Sequence, residues 1–276
     1  MEVCLGERIL TFEKSRVMGV LNVTPDSFSD GGRFLSADAA FEQAASMSQE
    51  GADIIDVGGE STRPGAQELP VQQELDRILP VIQSITARLD VAVSVDTSKP
   101  EVMQAAVASG AVLVNDVFAL QRDGALQTVA GLHVAVCLMH MQGKPQTMQA
   151  RPHYENLPAE VIDFLAARVR AGRAAGIEAE RMIVDPGFGF GKNDRHNLKI
   201  LANLDQFRDL KLPILVGLSR KRTLGNLTGK KAGQRVAAGV AAAVIAVSKG
   251  ANIVRTHDVG PTVDALRVFD AVWQAR

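Results

Sequence analysis

Polar residues that can bind or orient a ligand follow eight short apolar runs of this sequence. Behind the first six runs they are carboxylates, amides and one histidine, and behind the last two they are mainly cations. A single Asp after a strand is typically a helix cap, but capping does not account for polar residues at all eight ends. The residues that end the runs are Asn22, Asp56, Asp96, Asn115 with Asp116, His140, Asp185, Ser219 to Lys221, and Arg255 with His257.

The cationic residues suit a ligand of high negative charge. Lys221, Arg255 and His257 follow the last two runs, and Arg63 lies in the loop after the second. Such a group matches the oxygens of a diphosphate. Asn22 is a weak metal ligand by itself, but Mg²⁺ commonly takes one protein oxygen and completes its shell from phosphates and water. The sequence therefore predicts a diphosphate site with Mg²⁺ held at Asn22.

The acceptors suit a different part of a ligand. Asp96, Asn115 and Asp185 offer two carboxylates and one amide. A carboxylate accepts two parallel hydrogen bonds from a guanidine-like edge, so a flat heterocycle with several N–H donors fits this cluster. We expect the cluster to lie opposite the cations. The sequence leaves open whether Asp56 is structural or functional, and Glu60 is interpreted as an orienting or capping group.

The elements that must position these residues are short strands alternating with helical patterns. Eight such units predict parallel βαβ connections and a single (β/α)8 TIM barrel, in which all strand ends meet at one mouth. The competing fold is an open doubly wound sheet, but no Gly-x-Gly-x-x-Gly follows any strand and no P-loop motif occurs. The runs are 17–21, 53–57, 91–95, 112–114, 134–139, 182–184, 214–216 and 253–254.

Three further features complete the predicted architecture. Residues 3–14 read as a short N-terminal β-hairpin with Gly6 and Glu7 at its turn. Leu266, Phe269 and Trp273 predict a buried stripe on the last helix. No domain boundary is visible, so residues 1–276 are predicted to form one barrel domain.

Long loops are predicted after strands 1, 2 and 5. The first is polar and ends at Gly31 and Gly32, and it carries donors, acceptors and the aromatic Phe28. This composition is typical of a mobile lid, although an ordinary surface connection is the alternative. The third, 140–157, is the longest irregular stretch of the chain.

Bulk composition excludes several classes of partner. Thirty basic and 31 acidic residues give a formal charge of −1, and aromatic residues make up 4% of the chain. These values argue against nucleic acid or an anionic membrane as a main partner. The two cysteines, Cys4 and Cys137, have no metal-type or redox-type spacing, and no signal peptide is visible. We therefore expect a cytoplasmic protein.

The loops and strand ends together resemble the dihydropteroate synthase family across essentially the whole chain. The longest matching segment is Gly-Val-Leu-Asn-Val-Thr-Pro-Asp-Ser-Phe-Ser-Asp-Gly-Gly at 19–32, followed by Asp-Val-Gly-Gly-Glu-Ser-Thr-Arg-Pro-Gly at 56–65. The other segments occur in the family's order, at 94–97, 114–116, 139–143, 185–192, 217–221 and 255–258. The motifs are long and specific.

The resemblance implies a transferase of bacterial folate biosynthesis. It would join 6-hydroxymethyl-7,8-dihydropterin diphosphate to p-aminobenzoate, giving 7,8-dihydropteroate and diphosphate by a dissociative, Mg²⁺-assisted substitution. Sulfonamides would occupy the p-aminobenzoate pocket, and the enzyme would be a homodimer packing through late barrel helices.

The resemblance also implies a role for each matching residue. Asp30, Lys221 and Arg63 would be catalytic, with Asp30 stabilising the cation left on the pterin methylene. The residues implied to bind pterin are Asp96, Asn115, Asp185, Lys221, Met139 and Gly217; those for diphosphate are Asn22, Thr62, Arg63, Arg255 and His257; those for p-aminobenzoate are Phe28, Thr62, Pro64, Phe190 and Ser219.

One position departs from the family, since many members have Ser directly after the lysine where this chain has Arg222. Backbone donors at a helix start can serve a carboxylate whatever the side chain. Two other functions remain open on the sequence: a pterin-binding methyltransferase domain, which has no reason to keep Asn22 and Arg63, and a non-catalytic pterin-binding paralogue.

Overall fold

Eight parallel strands form the centre of the molecule, as the alternating pattern predicts. The computed structural model describes residues 1–23, 33–61 and 65–275. An antiparallel hairpin of β1 and β2 precedes the parallel strands. The strands are β1 Glu2–Leu5, β2 Arg8–Thr11, β3 Arg16–Asn22, β4 Ile54–Gly58, β5 Ala92–Asp96, β6 Leu113–Asp116, β7 Ala135–Met139, β8 Met182–Asp185, β9 Leu215–Val216 and β10 Ile253–Thr256.

The parallel strands close into a barrel. Their order is β8-β7-β6-β5-β4-β3-β10-β9. The first and last of these meet through a parallel bridge between Val184 and Ile214, and the Val184 N–H donates to the carbonyl of Pro213 at 3.0 Å. The predicted fold class is confirmed, whereas the boundaries of the single domain and the mobility of the loops stay predictions.

Helices follow the strands and cover the outside of the barrel. Pro100 begins α3, where its missing N–H costs no hydrogen bond. The helices are α1 Arg33–Gln49, α2 Val71–Arg88, α3 Pro100–Ala108, α4 Ala125–Leu132, α5 Ala159–Ala174, α6 Asp194–Ala202, α7 Arg222–Thr228, α8 Val236–Ser248 and α9 Val259–Gln274.

Apolar side chains pack in two layers, because alternate strand residues point to opposite faces. The outer layer joins the strands to the helices. The inner layer fills the barrel with residues such as Met18, Ile54 and Ile253. Val3 and Leu5 of the hairpin pack against this inner layer and are almost fully buried. The hairpin therefore closes the end of the barrel where the strands begin.

The predicted buried stripe on α9 is wrong for its last member. Leu266 is buried, but Trp273 is 48% exposed and stacks on Phe269 with ring centroids 5.6 Å apart. Only one face of α9 meets the barrel, and Trp273 lies in the final turn beyond it. Val268 and Val272 are also exposed, so this helix presents apolar side chains outward.

Two other findings concern the environment of the chain. Cys4 and Cys137 are both free thiols. In the described residues, no helix combines the length and the apolar character needed to cross a membrane.

Candidate active site

The carboxyl ends of the parallel strands bring the predicted residues to one mouth. Asn22 ends β3 beside Gly58, Gly58 pairs with Asp96, and Asp96 pairs with Asn115. Met139 and Asp185 pair at the ends of β7 and β8. Gly217 follows β9, where an added Cβ would meet no atom within 4 Å. The barrel thus brings together acceptor side chains that lie far apart in the sequence.

Arg255 ties the acceptor cluster together. Its Nε donates to Asp56 Oδ2 at 2.6 Å, and its Nη2 donates to Asp96 Oδ2 at 2.8 Å. Asn115 Nδ2 donates to the same Asp56 oxygen at 3.0 Å. The expectation that the cations lie opposite the acceptors is therefore wrong for Arg255. A long arginine on β10 reaches across β3 to β4 and β5, because a buried carboxylate requires a charged partner.

Asp56 is the buried carboxylate to which two members of this cluster donate hydrogen bonds. Its side chain is fully buried, and it orients both Arg255 and Asn115. Its Oδ1 is buried and has no hydrogen-bond partner within the residues that the structure describes. These contacts favour the structural interpretation of Asp56.

Burial changes the protonation of the acidic residues. Desolvation raises the pKa of Asp96, and Arg255 opposes the rise. Desolvation likewise raises the pKa of Asp185 to about 6, although the Gly187 N–H and Lys221 favour its charged form. A raised pKa means that each of these carboxylates gains more from a proton or an N–H donor than a carboxylate in water does. They are therefore prepared for a ligand with several N–H groups.

Lys221 and Phe190 meet beside Asp185. The Lys221 Nζ lies 4.2 Å from the centroid of the Phe190 ring, a distance typical of a cation–π contact. Burial lowers the pKa of Lys221 to about 8, and Arg255 lowers it further whereas Asp185 raises it. Phe190 is half-buried, while its neighbour Phe188 belongs to the core. Phe190 therefore forms a wall of the mouth.

His257 and Ser219 form a second polar group at the mouth. The His257 N–H donates to Ser219 Oγ at 3.2 Å, and His257 Nδ1 lies at the same distance from that oxygen. Burial lowers the pKa of His257 to about 4, and Arg255 adds to this effect. The imidazole is therefore neutral near pH 7 in the absence of ligand, in contrast to the cation expected from the sequence.

Asn22 lies where the sequence expects a magnesium ligand. It ends β3, and the side-chain-free Gly58 beside it leaves space around its amide. Across the described ranges, no group of three or more His, Cys, Asp or Glu side chains is arranged to hold a metal ion. The Asn22 amide offers one oxygen at this position, which is the kind of single protein ligand that Mg²⁺ takes when phosphate and water complete its shell.

Several implied residues lie outside the described part of the chain. They belong to the loops after β3 and β4, and their placement stays a prediction. These residues are Phe28, Asp30, Thr62, Arg63 and Pro64.

Sequence reasoning missed a buried ion triad beside the mouth. Lys99 Nζ contacts the carboxylates of Glu60 and Glu74, the latter at 2.5 Å. Glu60 also accepts the Leu69 N–H at 3.2 Å, so it joins both ends of the loop after β4. Glu60, Glu74 and Asp96 line a cavity of about 540 Å³. Glu74 sits on the buried face of α2, and this polar residue among apolar ones was the available signal.

Comparison with known proteins gives one consistent result. The model of the family described as "Pterin binding enzyme" matches residues 18–257. The dihydropteroate synthase of Haemophilus influenzae is 47% identical over 275 residues, covering 100% of both chains.

Solved structures agree in fold as well. Yersinia pestis dihydropteroate synthase with a sulfonamide drug has a TM-score of 0.95 and 46% identity, covering 99% of this chain and 100% of that one. Xanthomonas albilineans dihydropteroate synthase with 4-aminobenzoic acid has a TM-score of 0.93 and 50% identity, covering 99% and 98%.

Proposed function

This chain belongs to the pterin-binding enzyme family and, within it, to the dihydropteroate synthases, and we propose the reaction that its site carries out. The enzyme is a transferase that joins 6-hydroxymethyl-7,8-dihydropterin diphosphate to p-aminobenzoate. The products are 7,8-dihydropteroate and diphosphate. The methyltransferase and the non-catalytic paralogue have no comparable support, because full-length relatives share the synthase name.

The observation that carries the proposal is the acceptor cluster at the mouth. Asp185 is buried, the Asp96 side chain is 10% exposed, and Asn115 is paired with Asp96 and has its amide fixed by Asp56. A pterin presents a row of N–H donors along a flat ring, so it satisfies such carboxylates without water. Met139 pairs with Asp185 at the strand ends, and both Met139 and Gly217 are proposed to contact the ring. Lys221 is proposed to contact the ring from the Asp185 side.

The chemical step follows from charges at the mouth. The bond between the pterin methylene and the diphosphate oxygen breaks, and the electron pair leaves with the diphosphate. The amine nitrogen of p-aminobenzoate then attacks the methylene cation and loses a proton to solvent. Fixed charges stabilise such separation best when they are already oriented, as Arg255 is by Asp56 and Asp96. Asp30 is proposed to face the cation.

The leaving diphosphate is proposed to meet Asn22, Thr62, Arg63, Arg255 and His257. His257 is neutral before binding, and its Ser219 contact orients the ring. An arriving diphosphate supplies the negative charge that favours imidazolium, so binding itself would raise the pKa of His257. Mg²⁺, when bound at Asn22, would neutralise part of the charge that develops on the leaving group.

The aminobenzoate is proposed to lie against Phe190 and Ser219, with Phe28, Thr62 and Pro64 completing the pocket. Phe190 offers a ring face at the mouth, and Ser219 offers a hydroxyl next to His257. Sulfonamides have the same arylamine end, so we propose that they compete for this pocket. Arg222 begins α7 and is exposed, and its contact with the carboxylate of the substrate stays a prediction.

The direct test measures diphosphate release from the pterin diphosphate with Mg²⁺, with and without p-aminobenzoate. We expect dihydropteroate only when both substrates are present. Asp185→Asn should weaken binding of 6-hydroxymethylpterin about 100-fold, because charge-assisted hydrogen bonds are lost. Asp205→Asn, an exposed position, is the matched control. Pterin binding by the wild type without any release of diphosphate would falsify the proposed reaction.

We also propose a cytoplasmic homodimer. Ile245 of α8 and Val268, Val272 and Trp273 of α9 are exposed apolar side chains on late barrel helices. Exposed apolar side chains on two helices that pack against each other are typical of subunit interfaces. Val268→Glu should shift the sedimentation coefficient to that of a monomer, whereas Ile9→Glu on the hairpin should not. An unchanged dimer in Val268→Glu would place the interface elsewhere.

A further inference from the structure

Lys192 lies fully inside the protein, between the loop after β7 and the glycine-rich loop after β8. Its side chain is 1% exposed. Its Nζ contacts His140 Nδ1 at 2.8 Å, the carbonyl oxygens of Gly187 and Phe190 at 3.0 Å each, and that of His140 at 3.3 Å. None of these four atoms belongs to a carboxylate. Burying a lysine on neutral acceptors costs free energy, so a function is needed to explain it.

The backbones of the two loops meet without side chains between them. Gly187, Gly189 and Gly191 all have positive φ, at 71°, 82° and 62°. A Cβ at Gly187 would overlap the carbonyl of His140, and one at Gly191 would overlap backbone atoms of Gln142. This path turns several carbonyl oxygens toward one point. A single group with three donors, the Lys192 amine, satisfies them together.

The loop that Lys192 holds carries two parts of the active site. At its start, the Gly187 N–H donates to Asp185 Oδ1 at 2.7 Å. At its other end, the ring of Phe190 lies 4.2 Å from Lys221 Nζ. The His140 N–H also donates to the carbonyl of Asp185 at 2.9 Å. Lys192 therefore bonds to Phe190 itself and to Gly187 and His140, the two residues whose N–H groups donate to Asp185.

We propose that Lys192 is a positioning residue, which sets the place of Phe190 and the orientation of Asp185 without touching either substrate. The inference rests on the proposed function for the identity of the ligands. Loss of the amine removes the donor to the carbonyls of His140 and Phe190, whereas the Gly187 carbonyl keeps the Phe190 N–H at 3.1 Å. The loop then relaxes to expose the freed oxygens to water. The ring of Phe190 then moves off Lys221, and the arylamine pocket loses its wall.

The experiment compares Lys192→Met with wild type and with Lys199→Met, an exposed lysine on α6. We expect Lys192→Met to raise the KM for p-aminobenzoate about tenfold, because small misplacements at a site have large effects. The Kd for 6-hydroxymethylpterin, measured by calorimetry, should rise several-fold, and kcat should change less. Lys199→Met should match wild type in all three values.

A double-mutant cycle separates positioning from general destabilisation. If Lys192 acts through Phe190, then Lys192→Met should raise the KM for p-aminobenzoate much less when Phe190→Ala is already present. An equal increase in both backgrounds, or an unchanged KM and Kd in folded Lys192→Met, overturns the proposal. Circular dichroism and thermal unfolding establish that each variant is folded.

Lys192→Gln provides the same test if Lys192→Met does not fold. Its amide keeps two N–H donors for the carbonyls of Gly187 and Phe190, so its KM should lie between wild type and the larger effect expected for Met. If Lys192→Gln has the KM of the wild type and only its thermal stability is lower, Lys192 does not position the site. Failure of the wild type to release diphosphate would overturn the proposed function separately, and the pterin Kd of the variants would still test Lys192.

Discussion

Two lysines are buried beside the mouth of the barrel, and they are held in opposite ways. Lys99, after β5, contacts the carboxylates of Glu60 and Glu74. Lys192, after β8, contacts an imidazole and three carbonyl oxygens. Both are at least 95% buried. The difference in partners, and not the depth of burial, decides how each lysine is charged.

The pKa values of the two amines move in opposite directions. Burial disfavours the charged form of Lys99, but the hydrogen bonds that Lys99 donates to Glu60 and Glu74 outweigh burial and raise the pKa. Burial lowers the pKa of Lys192 to about 7, with Asp185 opposing and Lys221 adding to the fall. The loop after β4 is thus fixed by a permanent charge. The loop after β8 is fixed by an amine that titrates near neutral pH.

The largest expected effect comes from removing the permanent charge. Lys99→Met leaves Glu60 and the fully buried Glu74 facing each other without a cation. We expect the free energy of unfolding to fall by about 3–5 kcal/mol, as when one member of a buried ion pair is removed. Urea denaturation measures this, with Lys199→Met as control. A loss below about 1 kcal/mol would show that the triad behaves as a surface pair.

A smaller effect is expected from one partner of the triad. Glu60→Gln keeps an oxygen for the Leu69 N–H and removes one of the two negative charges that face Lys99, while Glu74 remains. We expect a loss of about 1–2 kcal/mol in unfolding free energy, together with a higher KM for p-aminobenzoate, whose pocket is proposed to include Thr62 and Pro64 of the loop after β4. Glu68→Gln, at an exposed ion pair, is the matched control. Equal losses of unfolding free energy in Glu60→Gln and Glu68→Gln would show that the buried and the surface glutamate contribute alike to stability.

The smallest expected effect is a dependence of the unfolding free energy on pH, which differs between the two lysines. The pKa of Lys192 in the folded state, about 7, lies below its ordinary value of 10.5, so folded protein binds fewer protons between these pH values. Stability should therefore rise with pH in this window, on the order of 1 kcal/mol between pH 7 and 9. The difference in unfolding free energy between wild type and Lys192→Met reports this contribution, because Asp96 and Lys221, whose pKa values of about 7 and about 8 also fall in this window, are present in both.

Lys99 predicts no such slope. Its pKa is raised above the ordinary value, so the stability that it contributes is fully present below pH 10.5 and is lost only at higher pH. The difference between wild type and Lys99→Met should stay constant from pH 7 to 9. If the difference in unfolding free energy between wild type and Lys192→Met is also constant from pH 7 to 9, the Lys192 amine of the wild type is not neutral in the folded protein.

Much of the fold was predictable because strands buried on both faces must be apolar throughout. Each run that the sequence marked as a strand overlaps one of β3 to β10, and the hairpin at 3–14 overlaps β1 and β2. Parallel connections then bring the strand ends together, so the acceptors at Asp96, Asn115 and Asp185 were predictable as a group. Periodicity did not reveal that Trp273 extends past the barrel, since helical spacing continues beyond the surface it packs on.

The partners of the charged residues were not predictable, because they depend on which loops are neighbours. Arg255 was predicted as an anion ligand, but nothing in the sequence indicated that its side chain also reaches Asp56 and Asp96 on two other strands. Lys99 precedes a helix in the sequence, and nothing nearby marks its two glutamates, which are 39 and 25 residues away. Lys192 closes a glycine-rich motif whose carbonyls converge only when the loop is folded.

The N-terminal hairpin determines the end of the barrel by which ligands enter and leave the enzyme. Val3 and Leu5 close one end of the barrel, so substrates and products share the opposite entrance. Asp185 of the proposed pterin site is buried, whereas Phe190 of the proposed arylamine pocket is half-buried, so we expect a bound pterin to be covered once p-aminobenzoate arrives. Dihydropteroate fills both positions at once and must depart before either substrate can enter. Product accumulation should therefore inhibit the enzyme against both substrates, and its release sets an upper limit on turnover.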